Sequence, residues 1–484
     1  MKRALLILAA CSPEPDTSLR SQALLTDLPG DTTCVSPLDF GAVVDDGLSD
    51  TAQIQSAIDS AIATRKPLCL PVGTLHAARR TTGTDKHRTL RINGRLVMSG
   101  AGAGISTITM LGSGIAPGGT VPGDWWLLDV TGGPHSFSDF TLSGAERYET
   151  GEQTHLINVT GPATGISLVD LEVTLPKLVP PAGVPGGQLY NAGDCIRFVG
   201  GAPPNYVDGV TIDRVRAPEC DRSAIGVQRA VRNLWVTHFR SDIVGDQAFD
   251  MEPSNNGPIG PIVVRDSVLH TGRGHGIAVT LTGNDQPARG VLFERVDIDG
   301  SIYAQSIEDT HLRSIRVVTD GTDNIAPIAV AKAGTGFVLE DSTIERGPGV
   351  AGPVVAFNSH AGSWPSSATI RGGRIIQRSD GPVISGEPVS GLLVDGTEIV
   401  CAGPTPATYN AIQLSRAGTT AELERIRVVN AIVSGGCKYA VQVGAGASTV
   451  TVTGNVFEVA DDAVRFVQPP SVAPVVTDNV ERLP

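Results

Sequence analysis

Short apolar runs recur along most of this chain and alternate with polar positions. From roughly residue 95 onward, runs such as Val210–Ile212 and Leu234–Val236 place every second side chain on one face, which is the period of a β-strand. From Val210 such runs start at intervals of roughly 22 to 34 residues, once the longest interval is divided at Ala368–Ile370. Val, Ile and Thr dominate these runs and long helical periodicity is nearly absent, so the pattern predicts an all-β chain.

A second apolar run accompanies the first in each repeat. Its first and third residues are predicted to point inwards and its middle residue outwards. These runs begin at residues 196, 225, 249, 277, 305, 328, 355, 412, 441 and 464. One repeat of this length cannot bury its own apolar face, so repeats of this kind stack into one continuous core. The pattern therefore predicts a solenoid of parallel strands.

The residues before the first repeats predict one short helix. Asp50 or Thr51 can cap it, and its apolar residues recur with helical spacing from Ile54 to Ala61. The segment 67–72 then has the pattern of a strand.

This N-terminal segment resembles one that opens the pectate-lyase superfamily. The resemblance rests on Phe40-Gly41-Ala42, on Asp46-Gly47 and on the residues of 49–61, which begin Ser-Asp-Thr. It implies an all-β, single-stranded right-handed parallel β-helix with a short N-terminal capping helix, the cap lying at about 38–75. It implies little about the reaction, because hydrolases, lyases, epimerases and phage tailspikes share the segment.

The charge balance argues against a nucleic-acid partner. The chain carries 37 Lys and Arg against 50 Asp and Glu, a net charge of −13, without a basic cluster that could follow a phosphate backbone. A polysaccharide partner is compatible with this surface, although an acidic polysaccharide would need basic side chains along its groove. We expect a monomer.

The first residues predict export. A basic start, Met1–Arg3, precedes the short apolar run Ala4–Ala10, and Leu8–Cys11 resembles a bacterial lipobox in which Cys11 is lipidated. The predicted organisation is a signal peptide at 1–11, a flexible tether at 12–33 and a β-helix domain at 34–484, anchored by lipid in the cell envelope or extracellular. An ordinary export signal or a disordered tail is the alternative.

The other six cysteines predict disulfides. An even number after an export signal fits an oxidising compartment, and six cysteines allow fifteen pairings. Proximity in the sequence suggests Cys34 with Cys69, Cys195 with Cys220 and Cys401 with Cys437. The spacing does not indicate a zinc site.

The stretch 245–253 is the leading candidate for chemistry. Phe249 and Met251 share one parity and are predicted to face the core, while Asp250 and Glu252 share the other and are predicted to stand outside. Their carboxyl groups are expected roughly 5–7 Å apart, which overlaps the separations of both retaining and inverting glycoside hydrolases. Repulsion between them would raise the pKa of one, which could then act as an acid.

Aligning the predicted coils places residues of neighbouring coils beside this stretch and adds them to the candidate site. Asp246, Asp250, Glu252 and His275 are the catalytic candidates, and Arg197, Gln228, Arg229, Tyr303, Glu308 and Lys332 are the substrate-binding candidates. Gly245-Asp246 followed by Gly274-His275-Gly276 partly resembles family 28 glycoside hydrolases, the polygalacturonase group. Gln247 replaces that family's second aspartate and an Arg-Ile-Lys sequence does not follow His275, so its three-aspartate mechanism is not transferred.

Several functions fit this pattern. A glycoside hydrolase without a required cofactor is preferred, because a carboxylate pair is visible and a basic catalytic motif is not. A lyase or epimerase acting on uronates is the alternative, with Ca²⁺ held by Asp250 and Glu252 or by Glu252 and Glu308, and with Arg229 or Lys332 as the basic partner. A non-catalytic carbohydrate-binding protein or adhesin is a second class, and a tailspike-like trimer a third. The alternative to a functional site is that these charged residues are solvated on an outer face of the solenoid.

Overall fold

The chain forms stacked coils of parallel strands behind one α-helix. The computed structural model describes residues 33–78, 88–111, 125–144, 154–175, 193–253, 257–279, 287–305, 307–322, 325–331, 335–358, 367–386, 389, 391–414, 425–444, 447–467, 470 and 472–482. Cys11 and Lys332 lie outside these residues, as do the predicted signal peptide and all but the last residue of the predicted tether.

The helix α1 spans Thr51–Thr64, and one-turn 3-10 segments lie at Pro37–Phe40 and Pro406–Thr408. In chain order the strands are β1 (Leu68–Cys69), β2 (Gly73–Ala78), β3 (Arg88–Ile92), β4 (Leu96–Ser99), β5 (Ser106–Leu111), β6 (Trp125–Gly132), β7 (His135–Ser138), β8 (Thr141–Ser143), β9 (Thr154–Val169), β10 (Glu172–Thr174), β11 (Ile196–Val199), β12 (Val207–Asp213), β13 (Arg216–Cys220), β14 (Ser223–Gln228), β15 (Val231–Thr237), β16 (Arg240–Val244), β17 (Gln247–Glu252), β18 (Ile262–Val279), β19 (Ala288–Gln305), β20 (Ile307–Arg313), β21 (Arg316–Thr319), β22 (Ile328–Ala331), β23 (Thr335–Glu340), β24 (Thr343–Arg346), β25 (Val355–Asn358), β26 (Thr369–Arg371), β27 (Arg374–Gln377), β28 (Ile384–Gly386), β29 (Leu393–Asp395), β30 (Glu398–Cys401), β31 (Ile412–Leu414), β32 (Ile426–Val429), β33 (Ile432–Cys437), β34 (Val441–Val443), β35 (Val450–Thr453), β36 (Val456–Val459), β37 (Val464–Phe466), β38 (Val475–Thr477) and β39 (Val480–Arg482).

These strands form three ladders in which each strand pairs in parallel with the strand one coil further on. We name the ladders sheets A, B and C. Sheet A contains β11, β14, β17 and the end of β18. Sheet B contains β12, β15 and the start of β18. Sheet C contains β13, β16 and the middle of β18. One coil therefore adds one rung to each sheet, and the core lies between the three sheets.

The core follows the predicted parity in sheet A. Ile196, Ile225, Phe249 and Ile277 are register partners in successive coils, and all four are buried. Stacking like side chains at the spacing between neighbouring strands, ~4.8 Å, gives each apolar residue a partner above and below. The predicted inward direction of Phe249 and Met251 is confirmed.

One predicted rung is wrong. The run beginning at Gln305 was expected to follow Ile277, but Ile302 is its partner, so Tyr303 occupies the outward position. Ile307 instead opens β20 in sheet B, where it pairs with Ala288. Register irregularities around His275 shift this coil. The shift of three positions exchanges the inward and outward faces of this run, and the polar Gln305 at a predicted inward position was the sign of the misfit.

The N-terminal cap agrees with the prediction. Ile54, Ala57, Ile58 and Ala61 are the buried residues of α1. Asp50 stands at the N-cap without a side-chain capping bond, because its carboxylate accepts hydrogen bonds from the backbone N–H groups of Val43 and His76. Only Leu68–Cys69 of the predicted strand 67–72 forms a strand.

All three predicted disulfides are present. Cys34 bonds to Cys69, Cys195 to Cys220 and Cys401 to Cys437. Cys34–Cys69 joins the cap to the first coil, Cys195–Cys220 joins the beginning and the end of one coil, and Cys401–Cys437 joins two neighbouring coils, as their short separations in the sequence suggest. Within the described ranges, none of the helices is long and apolar enough to cross a membrane.

Candidate functional site

The outward face of sheet A carries an ordered column of polar residues. In successive coils its middle position is occupied by Asp129, Asn158, Arg197, Gly226, Asp250, Ala278 and Tyr303. Neighbouring members are separated by the inter-strand distance of ~4.8 Å, so side chains from adjacent coils can contact one another. The candidate site lies where this column carries its charges, in the coils of β11, β14 and β17.

Arg222 is the centre of this site. Its Nη2 lies 3.1 Å from Glu252 Oε1 and 3.4 Å from Asp250 Oδ2. Its Nε lies 3.7 Å from Asp194 Oδ1. One guanidinium therefore contacts three carboxylates contributed by two different segments of the chain, Asp194 before β11 and Asp250 and Glu252 in β17. Arg222 immediately precedes β14, in the turn between sheets C and A.

A second guanidinium borders the same cluster. Arg197 Nε and Nη2 lie 3.2 and 2.5 Å from Gln228 Oε1, and the Gln228 amide in turn donates to Glu252 Oε2. Arg197 Nη1 lies 3.1 Å from Nε2 of the buried His155, whose Nδ1 faces Asp194. The polar contacts thus continue from β9 to β17 through four successive coils.

Burial distinguishes the two predicted catalytic carboxylates. Asp250 is only 2% exposed, whereas the side chain of Glu252 is 31% exposed. Asp250 stands in the outward column but is shielded from solvent, because Asp194 and Arg222 reach towards it from other segments. Asp250 Oδ1 has no hydrogen-bond partner among the described residues.

Burial also sets the protonation of the cluster. Loss of hydration raises the pKa of Asp250 well above its ordinary value, and the nearby carboxylates of Glu252 and Asp194 raise it further, while Arg222 opposes the rise. Burial lowers the pKa of Arg197, and the charges of Asp194 and Glu252 counteract this effect. Two guanidinium groups face three carboxyl groups, so one retained proton leaves this set neutral.

The other predicted catalytic residues are Asp246, directly before β17, and His275 in β18. Asp246 is half-buried, and its backbone links the coils of Arg222 and His275. His275 Nδ1 lies 2.5 Å from Ser301 Oγ, and its ring stacks on Tyr303 with centroids 5.5 Å apart. Tyr303 also bonds to Gln305 through its hydroxyl group. His275 therefore contacts Ser301 and Tyr303 on the side of β19.

The predicted binding residues divide between the site and other places. Arg197 and Gln228 belong to the cluster, and Arg229 is exposed beside it, with its backbone N–H bonded to Glu252 O. Glu308 does not lie in sheet A: it pairs with Arg289 in sheet B, 2.7 Å between Oε2 and Nε. The proposed Glu252–Glu308 cation pair is therefore wrong, because it depended on the shifted rung.

Three residues of the cluster were absent from the predicted site: Arg222, Asp194 and His155. The sequence contained a sign of the first two. Asp194 directly precedes Cys195 and Arg222 follows Cys220 by two positions, so the predicted disulfide already brings them near each other. The sequence did not indicate that His155 belongs to the cluster, because its position relative to Asp194 depends on the length of the coil between them.

The described carboxylates fit a metal ion poorly at the candidate site. Asp250 and Glu252 both contact Arg222, so a cation between them would have to displace a guanidinium. Asp46, Asp50 and His76 form a separate group near the helix, with ligand atoms within 4.8 Å of one another. Both oxygens of Asp50 already accept backbone hydrogen bonds, and the adjacent helix N-terminus disfavours a cation.

Comparisons with known proteins give distant similarities of structure. No protein-family model and no curated protein matches the sequence. The Azotobacter vinelandii mannuronan C-5 epimerase AlgE6 A-module is 15% identical, with a TM-score of 0.47, over 93% of this chain and 99% of that chain. The catalytic unit of the GH87 α-1,3-glucanase from Streptomyces thermodiastaticus strain HF3-3 is 12% identical, with a TM-score of 0.47, over 94% of this chain and 69% of that chain. Tailspike protein 3 of bacteriophage CBA120 is 10% identical, with a TM-score of 0.45, over 95% of this chain and 62% of that chain. Similarities this distant do not decide the reaction.

Proposed function

We propose that this chain is a right-handed parallel β-helix enzyme that processes a polysaccharide, and that it is a glycoside hydrolase. The handedness follows the strong general preference for right-handed connections between parallel strands of one sheet. The observation that carries the function is the Arg222 cluster, in which two carboxyl groups of one strand face have different environments. Such a division is what acid–base chemistry on a glycosidic bond requires.

In this proposal the two groups have different roles. Asp250 is the acid, because it is buried, has a raised pKa and leaves Oδ1 without a hydrogen-bond partner among the described residues. Glu252 is the ionised carboxylate, because Arg222 and Gln228 both donate to it. Its partial exposure makes Glu252 the point at which a sugar ring meets the cluster.

The reaction then consumes one water molecule. Asp250 gives its proton to the glycosidic oxygen as the bond from that oxygen to the anomeric carbon breaks. Glu252 either activates the water that attacks this carbon or attacks it directly and is released by water afterwards. The products are a new reducing end and a free hydroxyl group. If Glu252 activates the water, Glu252 takes the proton of the water and returns it to solvent while Asp250 is reprotonated from solvent; if Glu252 attacks directly, Asp250 takes the proton of the water that releases it.

A lyase or epimerase acting on uronates is the second candidate. Arg197 and Arg222 lie in the cluster with His155, and Arg229 is exposed at its border. Guanidinium groups bind a sugar carboxylate well and would favour an acidic polysaccharide. The engagement of Arg197 with Gln228 and of Arg222 with three carboxylates places this candidate second.

The experiment is a screen of the purified protein on neutral and acidic polysaccharides, with and without EDTA. New reducing ends and the ultraviolet absorbance of unsaturated uronides are measured together, and uronate composition is analysed for epimerisation. Asp250→Asn and Glu252→Gln are compared with Glu345→Gln, a matched carboxylate in sheet C that pairs with Arg378. Hydrolysis predicts reducing ends without absorbance, lost in the first two variants and retained in the third.

Other outcomes select other functions. Absorbance that disappears with EDTA would establish a calcium-dependent lyase, and a change of uronate composition an epimerase. Cleavage unchanged in Asp250→Asn and Glu252→Gln would place the chemistry elsewhere. Binding without cleavage on every substrate would favour a carbohydrate-binding protein or adhesin.

We also propose export with a lipid anchor on Cys11, supported by the lipobox-like sequence and by three disulfides. Metabolic labelling with a radioactive fatty acid tests it. Label on the wild-type chain and none on Cys11→Ser is the expected result, and an unlabelled wild-type chain would contradict it.

A further inference from the structure

The Cys195–Cys220 disulfide lies directly beside the charged cluster. Cys195 follows Asp194, and Cys220 precedes Asp221 and Arg222. The bond joins the residue before β11 in sheet A to the end of β13 in sheet C, which are the beginning and the end of one coil. Both cysteines are buried. The disulfide therefore ties together the two segments that carry the first carboxylate of the cluster and its central guanidinium.

Backbone hydrogen bonds hold the same turn from both sides. Arg222 N–H donates to Gly193 O at 3.2 Å in the coil before, and Arg222 O accepts from Asp246 N–H at 2.9 Å in the coil after. Cys195 N–H donates to Ser223 O at 2.8 Å. The main chain of Arg222 is thus fixed relative to the coils of Asp194 and of Asp250.

The guanidinium uses this position to contact carboxylates that would otherwise repel one another. Asp194 comes from one coil and approaches Nε of Arg222. Asp250 and Glu252 come from another coil and both approach Nη2. A planar group with several donors can do this, whereas the single ammonium of a lysine cannot match the same arrangement.

We propose that Arg222 is the positioning residue of the candidate site, and that the Cys195–Cys220 disulfide holds it where its guanidinium keeps Asp194, Asp250 and Glu252 in one cluster. The relevance to catalysis rests on the proposed function, but the positioning itself does not. Arg222 acts through the carboxylates and needs no contact with substrate.

The charges around this group come from several coils. The titratable and charged residues that interact within the cluster are His155, Asp194, Arg197, Arg222, Arg229, Asp246, Asp250 and Glu252. Asp221 directly precedes Arg222 in the chain, and His275 is the register partner of Gln247. Because Arg222 stabilises the ionised carboxylates, its removal should matter most at a pH where they are ionised and little where they are protonated.

The test measures the free energy of unfolding of the full chain by denaturant at several pH values. Arg222→Gln, Arg222→Lys and wild type are compared, with Arg378→Gln as the control for an exposed guanidinium that pairs with one carboxylate. Each unit by which Arg222 lowers a carboxyl pKa contributes a factor of about ten to the folding equilibrium constant. Arg222→Gln should therefore lower this constant at least about tenfold more near pH 9 than near pH 4.

Arg222→Lys should recover part of this pH dependence, since it restores the charge without the fork. A loss in Arg222→Gln that is the same at all pH values would show a purely structural residue and overturn the proposal. If the protein hydrolyses a polysaccharide, the acidic or basic limb of its pH–rate profile should move in Arg222→Lys. If no reaction is found, the stability measurement still decides the positioning role.

The disulfide is tested with a matched pair. Cys195→Ala/Cys220→Ala and Cys401→Ala/Cys437→Ala each remove one buried disulfide of the solenoid. Both should lower stability, but only the first should reproduce the pH dependence of Arg222→Gln. Equal pH profiles in the two double variants would contradict the role of Cys195–Cys220.

Discussion

The carboxylate of Asp194 lies over Gly226, the residue one coil further on in the outward column of sheet A. A Cβ at Gly226 would stand 2.7 Å from Asp194 Oδ2 and 3.0 Å from its Cγ. Gly226 therefore provides the space in which Asp194 reaches Arg222 and approaches the coil of Asp250. A carboxylate of the protein thus fills the space that the missing side chain of Gly226 leaves.

Gly226→Ala is expected to displace Asp194 from the cluster. The added methyl group should cost about 1–3 kcal/mol, the usual range for overpacking a well-packed site. In the background of Asp194→Ala the same substitution should cost much less, because the atoms that it meets are gone. Denaturant unfolding of the two single variants and the double variant gives the coupling free energy. Additive effects would show that Asp194 does not occupy this space.

Asp250→Asn should change how stability depends on pH. The pKa of Asp250 is raised in the folded state, so between its unfolded and folded pKa values the folded state binds more protons than the unfolded state. The wild type therefore loses stability as pH rises through this range, with a limiting slope of about 1.4 kcal/mol per pH unit. Asp250→Asn should lack this loss and gain stability relative to wild type above about pH 4.

Asp242 provides the control, because its pKa is shifted in the opposite direction from that of Asp250. Burial alone would raise the pKa of Asp242, but hydrogen bonds from Arg240 and Arg216 prevail and lower it. Asp242→Asn should lose stability relative to wild type once pH rises above the unfolded pKa. If both variants change in the same direction with pH, the raised pKa of Asp250 is wrong.

His135 should contribute to acid unfolding. Its side chain is fully buried, Nε2 lies 3.0 Å from Thr131 O, and the ring stacks on Phe137. Burial lowers the pKa of His135 to about 4, although the hydrogen bond to Thr131 opposes this. The unfolded state then binds the proton first as pH falls, so stability decreases from about pH 6.5 to about pH 4, by at most about 3 kcal/mol.

His135→Gln should remove this pH-dependent loss while lowering stability at neutral pH. Unfolding curves at about pH 4 to 8 measure both effects, and differences between variant and wild type separate them from the contribution of Asp250. His311→Gln is the control, since His311 is partly exposed in sheet B beside Asp309. An unchanged acid transition in His135→Gln would show that His135 titrates normally.

The fold was predictable because it depends on local patterns. Period-two runs that recur at similar intervals predicted the strands and their stacking, and Phe249 and Met251 face the core as their parity requires. The short separations of the cysteines predicted all three disulfides. These properties are set by neighbours in the sequence or by one simple repeat.

The site was only partly predictable because it depends on register between coils. Asp250 and Glu252 lie on one strand and could be recognised together, but Arg222 and Asp194 reach them from other segments. The irregularity at His275 moved Tyr303 into the outward column and Glu308 out of it. The polar Gln305 was the one sign of this shift in the sequence, and it did not indicate where the rung begins instead.

Arg346 provides a last prediction, remote from the candidate site. It lies at the end of β24 in sheet C and is fully buried. Nη1 donates to Ile325 O at 2.5 Å, Nη2 to Val350 O at 3.0 Å and Nε to Ser379 Oγ at 3.1 Å. Arg346 thus satisfies polar atoms of three segments that surround one corner of the coils.

Arg346→Met should lower the free energy of unfolding by about 3–5 kcal/mol, because buried carbonyl groups would lose their donors in a place water does not reach. Arg378→Met should change it by at most about 1 kcal/mol, because the ion pair of Arg378 with Glu345 is exposed to solvent. Denaturant unfolding at neutral pH measures both. Equal losses in the two variants would mean that water or other groups replace the donors of Arg346, and that the corner is more open than its burial indicates.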